Sequence, residues 1–596
     1  MFLLYFAAIW GWGCLVCRRL FPSDERWTEF IAARVITGCS ILYAVFIFLA
    51  WLHLLRPAPI LIVLAVGMLL AIVHIRRFRI ELQERGLFIV VSALALLQLA
   101  CAFTPLIFYD SQVYQLLAPV EFLRAGYLTH IPWNVLANGP QAIQLTLGMS
   151  WALDDTGNAF KLLMALLGCL SLLAAARIGS EISPRAAMVS ALFVAAYPEF
   201  WIHQTFGVVD LAVAAFLVFG TIWWMDALGQ ADWNRAILAG IAFGFVIGSR
   251  YQGVVLVTWF MAAIFFATCA GNPKRIAGGL KKGAVVAGIA LLMTLPWLLR
   301  NTMTFGNPVY PLMYGVFGGP EWSAEQGIML QNKVMGPALM TLPLRQMLLS
   351  PVSILFRLPS NGLFAVPMLL AGIAVAFFKP WKDLRPYAVL GLGGLFLWGL
   401  IHPIPGVELF RFNSASLILL LACAGAVLGG RGIYLAVPLV AGSMLIAIVS
   451  LSNVVPVAFA LSSADARTQL WKANVPSWQV FDFANKKLDP TRHKVLLIGE
   501  TRAVWLKVPF LAPSALNGPQ LVELFSPQAG PDVWVEHLHK LSITHILICS
   551  SEWQRLADSA GYFRLPDDHL NRFLTWVHTL PVMFDDGHGN VLLVVG

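Results

Sequence analysis

Charged residues are scarce in this chain of 596 residues. Only 12% of them are Asp, Glu, Lys or Arg, whereas 59% are hydrophobic. A soluble domain is about a quarter charged, so the composition excludes an ordinary soluble protein. A membrane-spanning helix needs about 20 mostly apolar residues, and such runs recur along the sequence. The composition therefore predicts a polytopic membrane protein.

The sequence also lacks a disulfide framework and a nucleotide-binding motif. Seven of the eight cysteines lie in apolar runs, and Cys549 stands alone near the C-terminus, which does not predict disulfides. Gly499-Glu500-Thr501 is not a phosphate loop. The net charge of +9 comes mostly from short loops between apolar runs, as membrane topology requires. No nucleic-acid partner is expected.

Fourteen apolar stretches are candidate membrane spans. They are 2–17, 33–53, 57–75, 87–104, 159–177, 186–202, 210–227, 236–248, 253–270, 283–300, 362–378, 386–402, 413–428 and 432–451. The first stretch lacks both a basic n-region and a clear cleavage site, so it is interpreted as a helix rather than a signal peptide. Basic clusters at 18–19, 76–85, 274–282 and 379–385 all fall on one face, which the positive-inside rule makes cytoplasmic. Both chain ends and Asp110 are then predicted to lie outside.

Three long polar segments follow on the predicted outer face: 105–158, 301–361 and 452–596. The last is long enough to fold alone. It contains strand-like runs at 494–499 and 544–549, a helical stretch at 533–541 and a hairpin pattern at 582–595. The predicted fold is an all-α polytopic membrane bundle of about fourteen helices with a small C-terminal α/β extracytoplasmic domain. The predicted units are residues 1–85, 86–451 and 452–596.

Polar residues at the predicted outer helix ends are the candidates for chemistry. They are Asp110, Asp154, Asp155, Glu199, His203, Asp210, Arg250, Arg300, Glu408 and Arg411. Asp154 with Asp155, and separately Asp210, have an alternative role as helix N-caps. Arg300 and Arg411 have an alternative role as anchors at the membrane interface. Asp110 has the weakest structural explanation, because its neighbours are aromatic and no helix obviously starts beside it.

These residue types suit one kind of chemistry. The planar guanidinium of Arg recognises phosphate through several donors at once. A carboxylate can act as a general base on an acceptor hydroxyl. A lipid-linked phosphate would place its tail between helices and its head group among these residues. Because nucleotides are scarce outside the cell, an activated lipid phosphate is the expected energy source.

Three blocks of this sequence resemble C-type (GT-C) glycosyltransferases. Tyr109-Asp110-Ser111 through Tyr114-Gln115-Leu116, with Pro119 and Gly126, is similar to the first outer loop of bacterial relatives of protein O-mannosyltransferases and of the lipid A aminoarabinose transferase. Residues 296–301 with 306–311, and Arg411-Phe412, resemble two further blocks, and Asp210 lies where that family places an acid. The resemblance covers roughly 86–430. This chain has Gln115 where relatives often carry His, and no DxD-like pair follows Asp110.

The resemblance implies an inverting transfer from a polyprenyl-phosphate-linked sugar to an acceptor on the periplasmic face of a bacterial cytoplasmic membrane. It implies that Asp110 is the general base or orients the acceptor. Donor-phosphate ligands would be Arg250, Arg300 and Arg411. Substrate contacts are expected from Tyr109, Tyr114, Asp155, Asp210 and Glu408. No cofactor is certain, and a divalent metal near Asp155 and Asp210 is an open alternative. The acceptor, whether glycan, lipid or protein, is not predicted.

Two other functions compete with the transferase. A lipid-linked glycan transporter or flippase without chemistry would suit fourteen spans, but it should show internal repeats and mid-membrane polar residues. The sequence shows no clear repeat, and its polar residues cluster at one set of helix ends. A scaffold protein of an envelope polysaccharide complex, binding through its C-terminal domain, would have a similar sequence.

Overall fold

The computed structural model describes residues 1–20, 26–74, 84–230, 232–330, 362–401 and 411–595. Each of the fourteen predicted spans falls on a helix or a pair of consecutive helices. The helices of the first half are α1 Phe2–Leu20, α2 Trp27–Trp51, α3 Pro57–His74, α4 Arg85–Cys101, α5 Leu117–Ala125, α6 Ala142–Gly148, α7 Asn158–Gly168, α8 Leu170–Gly179, α9 Pro184–Ala196, α10 Pro198–Phe206, α11 Asp210–Gln230, α12 Trp233–Ser249, α13 Gly253–Cys269 and α14 Pro273–Phe305.

The second half continues with short helices and the last apolar ones. They are α15 Tyr314–Phe317, α16 Ala324–Leu330, α17 Gly362–Val375, α18 Arg385–Ile401, α19 Ser414–Arg431, α20 Ile433–Val454, α21 Val457–Ser462, α22 Ala464–Asn474 and α23 Trp478–Lys487. Within the described ranges, six helices are long and apolar enough to cross a membrane, or seven if the bent α9–α10 pair counts as one span. Several shorter apolar helices accompany them. The chain is a multi-pass membrane protein, and the number of fourteen spans stays a prediction.

The predicted span 186–202 is broken in the structure. Helix α9 ends at Ala196, α10 begins at Pro198, and the two axes differ by 64°. Pro198 cannot donate a backbone hydrogen bond to the preceding turn, and it forces Tyr197 into an extended conformation with ψ of 121°. The break leads the chain through α10 to the start of α11, where Asp210 lies.

Close helix packing depends on small residues. A Cβ atom on Gly425 of α19 would lie 2.5 Å from the Cα atom of Ser190 in α9, so only glycine fits there. The Ser190 hydroxyl donates a hydrogen bond of 2.7 Å to the carbonyl of Ala422. Membrane helices associate mainly through such contacts, because lipid offers no hydrophobic driving force between them.

The C-terminal domain is a five-stranded sheet with flanking helices. Its strands are β1 Val495–Ile498, β2 Phe510–Leu511, β3 His545–Cys549, β4 Val582–Asp585 and β5 Asn590–Val594, and its later helices are α24 Gly518–Leu524, α25 Pro531–Lys540, α26 Ser550–Ala560 and α27 Asp567–Val577. The strand order is β2-β1-β3-β5-β4. Strand β1 pairs in parallel with β2 and β3, whereas β5 pairs antiparallel with β3 and β4. The predicted strands, helix and hairpin are present; β2, α24, α26 and α27 were not predicted.

A network of ion pairs connects four helices at the ends that lie away from Asp110. Glu29 of α2 is 2% exposed and accepts hydrogen bonds or ion pairs from Arg177 of α8 and Arg235 of α12. Arg177 also pairs with Glu181 and lies 3.7 Å from Asp226, near the end of α11. Four helices are therefore held together by ion pairs centred on the buried Glu29 and Arg177.

Replacing Glu29 by Gln should destabilise the helix bundle strongly. The substitution leaves two buried guanidinium groups without their shared carboxylate, a loss that typically costs about 3–5 kcal/mol. Thermal unfolding in detergent measures the effect. The control is Glu121→Gln, whose partly exposed pair with Arg124 at 2.6 Å should contribute no more than about 1 kcal/mol. Equal melting temperatures for the two variants would contradict a structural role for the network.

Candidate active site

Asp110 lies on a short helical segment that follows α4. Residues Ser111–Gln115 form a π-helix, a rare element that is frequent at functional sites. Along this segment, the Tyr114 hydroxyl donates a 3.1 Å hydrogen bond to Oδ2 of Asp110. Nη2 of Arg411 lies 2.6 Å from the same oxygen. The Asp110 side chain is 20% exposed, so a substrate can still reach it.

A second ion pair lies where α11 begins and α12 ends. Nη2 of Arg250 is 3.1 Å from Oδ1 of Asp210, and Asp210 is almost fully buried. Both residues line a narrow cavity together with Arg411. The full lining consists of Asp210, Val213, Ala214, Leu217, Val246, Arg250, Gln252, Gly253, Leu256, Arg411 and Ala415. Two arginines and an acid beside Val and Leu side chains suit an amphiphile with an anionic head group.

The electrostatics of Tyr114 connect the two ion pairs. Burial and the negative charge of Asp110 raise the pKa of Tyr114 to about 12, and Asp210 adds a smaller increase, while Arg250 and Arg411 act in the opposite direction. All four charges therefore act on one hydroxyl group. Tyr114 stays protonated at neutral pH and remains a hydrogen-bond donor to Asp110. The structure thus brings together five of the residues that the sequence singled out.

Arg300 lies outside this group of contacts. Its guanidinium donates to the carbonyls of Thr129 at 2.5 Å and Asn138 at 3.2 Å, and to the side-chain oxygens of Asn138 and Asn301 at 2.8 and 2.9 Å. The guanidinium carbon lies 5.3 Å from the centroid of the Phe305 ring. These bonds attach the end of α14 to the first outer loop, and each uses a neutral oxygen. A phosphate contact for Arg300 stays a prediction.

Two of the predicted acids are not in the cluster. Asp154 accepts hydrogen bonds from the backbone N–H groups of Thr156 at 3.1 Å and Ala159 at 2.8 Å, so it caps the start of α7. Its neighbour Asp155 is exposed to solvent. Asp154 therefore has the N-cap role that was the alternative for Asp154 and Asp155. Glu408 lies outside the described residues.

Tyr109 points away from the cavity and into the C-terminal domain. Its hydroxyl lies 2.5 Å from the Thr501 hydroxyl. The guanidinium carbons of Arg555 and Arg502 lie 4.9 and 5.8 Å from the centroid of its ring. Burial raises its pKa to about 12, despite the hydrogen bond with Thr501. Tyr109, predicted as a substrate contact, is thus a contact between domains.

The sequence reasoning missed one buried cation beneath the site. Nζ of Lys161 donates to the carbonyl and hydroxyl of Thr104 at 2.6 and 2.7 Å, and to the carbonyl of Pro105 at 3.0 Å. Lys161 is 1% exposed and fixes the start of the segment that carries Asp110. A lysine within an apolar run is itself a signal of a polar role.

His203 and Glu199 lie on α10, and both are buried. Nδ1 of His203 has no hydrogen-bond partner within the described structure.

Among the described residues, no group of three or more His, Cys, Asp or Glu side chains is arranged to hold a metal ion.

The helical core with its docked α/β domain has the GT-C fold. The crystal structure of ArnT from Cupriavidus metallidurans bound to undecaprenyl phosphate superposes with a TM-score of 0.52 at 14% sequence identity, over 86% of this chain and 98% of that chain. This similarity confirms a mostly helical GT-C-like fold with a small C-terminal sheet, whereas the fourteen helices and the extracytoplasmic placement of the C-terminal domain stay predictions. An oligosaccharyltransferase from Archaeoglobus fulgidus gives a TM-score of 0.43 at 13% identity over 81% of this chain and 72% of that chain, which alone does not establish a common fold.

Sequence comparison adds one match. A family model described as "Domain of unknown function (DUF8201)" matches residues 141–337, well under half of the chain. This range runs from just before α6 to beyond α16 and contains Asp210, Arg250 and Arg300. No curated protein matches the sequence significantly.

Replacing Arg300 by Lys separates a structural role from a phosphate-binding role. Lys keeps the charge but loses the planar fork that spans Thr129 and Asn138, and lost buried hydrogen bonds cost about 1–3 kcal/mol each. We expect a lower melting temperature and an affinity for undecaprenyl phosphate within about twofold of wild type, a change under 0.5 kcal/mol. A tenfold weaker affinity with unchanged melting would instead support the phosphate contact predicted from the sequence.

Proposed function

We propose that the protein is a glycosyltransferase that moves a sugar from a polyprenyl-phosphate-linked donor to an acceptor hydroxyl with inversion. The observation that carries this proposal is the proximity of two ion pairs, Asp110 with Arg411 and Asp210 with Arg250, because Arg411, Asp210 and Arg250 line one cavity. The GT-C fold and the polyprenyl phosphate bound by ArnT support the same substrate class. Glycan, lipid and protein acceptors all remain compatible with the site.

In the proposed reaction Asp110 accepts the proton of the acceptor hydroxyl. The acceptor oxygen then forms a bond to the anomeric carbon from the face opposite the phosphate. The bond between that carbon and the phosphate oxygen breaks, and the polyprenyl phosphate leaves with the electron pair. Arg411 and Arg250 stabilise the charge that develops on the phosphate, while Tyr114 and Asp210 orient Asp110 and the sugar.

Arg411 links donor binding to activation of the base, because it is a partner of Asp110 and a proposed ligand of the donor phosphate. Arg411 contacts Asp110 at 2.6 Å, so a phosphate that binds Arg411 competes with the carboxylate for the guanidinium. Release of Asp110 from this pair leaves its oxygens free to accept a proton from the acceptor. The base therefore becomes available when the donor is in place.

The site is proposed to face the extracytoplasmic side of a bacterial cytoplasmic membrane. Asp110, the start of α11 and the end of α12 lie at one set of helix ends. The basic residues at 18–19, 274–282 and 379–385 lie near the opposite ends, which the positive-inside rule places in the cytoplasm. The C-terminal domain docks on the Asp110 side, because Thr501 contacts Tyr109.

Replacing Asp110 by Asn should abolish most turnover. General-base catalysis contributes about 10²–10⁴-fold, and the amide keeps the shape of the side chain. The assay measures release of undecaprenyl phosphate by protein in nanodiscs supplied with an envelope lipid extract. Asp482→Asn is the matched control, because it removes an exposed carboxylate that pairs with Lys486 at 2.6 Å. Near-normal release by a folded Asp110→Asn variant would contradict the general-base role, and absence of any release by the wild type would favour the transporter.

Replacing Arg411 or Arg250 by Gln should weaken binding of undecaprenyl phosphate. A hydrogen bond to a charged group contributes about 1.5–3 kcal/mol, so each loss is expected to lower the affinity about tenfold to a hundredfold. Binding is measured by native mass spectrometry in nanodiscs. Arg492→Gln, which removes one exposed positive charge, is the control for net charge. Unchanged affinity for undecaprenyl phosphate in both site variants would contradict phosphate binding in this cavity.

A further inference from the structure

The C-terminal sheet has the kind of strand order that commonly creates a ligand-binding position. Strand β1 lies between β2 and β3, so the chain runs from β1 to β2 on one side and then crosses to β3 on the other side, and both pairings of β1 are parallel. In open sheets of this kind, ligands bind beyond the carboxyl ends of the strands, where the strand order reverses. Here that position follows Ile498 and begins with Glu500, Thr501 and Arg502.

The chain's own Tyr109 lies at this position. Its hydroxyl lies 2.5 Å from the Thr501 hydroxyl, and the guanidinium carbons of Arg502 and Arg555 lie 5.8 and 4.9 Å from its ring centroid. The ring also packs against the hydrophobic core of the C-terminal domain. A position typical of a ligand is thus occupied by the residue that directly precedes Asp110.

The surface that receives Tyr109 is held rigidly. Glu500 is fully buried and accepts hydrogen bonds of 2.9 Å from the backbone N–H groups of Thr501 and Arg502. Nε of Arg502 lies 2.8 Å from Glu500, and Ser477 donates to Glu500 at 2.8 Å. Burial opposes ionisation of Glu500, but the charge and hydrogen bonds of Arg502 lower its pKa below the ordinary value. The stability that this pair adds is therefore present at neutral pH and is lost only as the pH falls through that lowered pKa.

A second contact fixes the same segment one turn further on. The indole N–H of Trp505 donates a 2.9 Å hydrogen bond to Oε1 of Gln112, and both side chains are buried. The Trp505 ring also packs against Trp151 of the first outer loop, with centroids 5.6 Å apart. Tyr109 and Gln112 therefore attach both sides of Asp110 to the C-terminal domain.

Tyr109 and Asp110 are consecutive residues in a helical conformation. Successive side chains on a helix diverge by about 100°, so Tyr109 can point into the C-terminal domain while Asp110 points to Arg411. The direction of Asp110 then depends on where Tyr109 is held. A small rotation at Tyr109 would move the carboxylate away from Arg411 and Tyr114.

From these contacts we infer that the C-terminal domain is a positioning element of the active site, in which Thr501, Arg502 and Arg555 hold Tyr109 and thereby aim Asp110 at Arg411. The catalytic consequence of this inference rests on the proposed transferase function. The positional consequence does not, because it concerns the conformation of residues 108–116 alone.

The test is a double-mutant cycle on the hydroxyl groups of Tyr109 and Thr501. It uses the full chain in nanodiscs. The variants are Thr501→Val, Tyr109→Phe and their combination. Thr501→Ser keeps the hydroxyl and should behave as wild type. Thr544→Val is the matched control, because the Thr544 hydroxyl bonds to Lys494 and His545 within the C-terminal domain.

Hydrogen exchange of peptides covering 108–116 is the first measurement. Loss of one buried hydrogen bond should raise their exchange about fivefold in Thr501→Val and Tyr109→Phe, with no further increase in the double variant. Turnover, measured as release of undecaprenyl phosphate, should fall about fivefold or more while affinity for undecaprenyl phosphate stays unchanged. A merely structural contact would lower the melting temperature without this separation of turnover from affinity.

Unchanged exchange in Thr501→Val, or additive effects in the double variant, would overturn the positioning role. So would a loss of turnover that Thr544→Val reproduces. A wild-type protein that neither binds nor releases undecaprenyl phosphate would defeat the proposed function. The exchange experiment would still decide whether the domain holds the Asp110 segment.

Discussion

The pairing of Asp110 with Arg411 is the interaction on which the site depends. A carboxylate and a guanidinium at the ends of apolar helices are costly to bury singly, and they become tolerable as a hydrogen-bonded pair. The pair joins the first outer loop to the start of α19, and the neighbouring pair of Asp210 and Arg250 joins α11 to the end of α12. Two anions therefore neutralise two cations, and Arg411, Asp210 and Arg250 line one cavity.

The rest of the fold keeps these charges in place from both sides. Below the site, Lys161 holds the chain at Thr104 and Pro105 just before Asp110. Above it, the C-terminal domain holds Tyr109 and Gln112. The outer segment after α14 is connected as well, since the side chain of Gln326 donates to the carbonyl of Leu516 at 3.0 Å. The described parts of the three long polar segments are therefore in contact with one another.

The sequence predicted the helices because the apolar runs recur with basic clusters in several of the loops between them, and it predicted Asp110 because an acid there has no capping role. It could not predict the pairings. The Tyr109–Thr501 contact joins residues 392 positions apart, and no local pattern marks Thr501 or Arg502. Arg300 had the same local signature as Arg411, a cation at a helix end, yet its partners are the neutral oxygens of Thr129 and Asn138. The break at Pro198 was readable from the proline, although the apolar run alone predicted a single span.

The most direct test is a structure of the full chain in nanodiscs with undecaprenyl phosphate added. The account predicts phosphate oxygens at hydrogen-bonding distance, about 3 Å, from Arg411 and Arg250, with Asp110 released from Arg411 and facing the cavity. A phosphate bound away from both arginines, or a cavity that opens across the whole bundle while the Asp110–Arg411 pair stays intact, would contradict it.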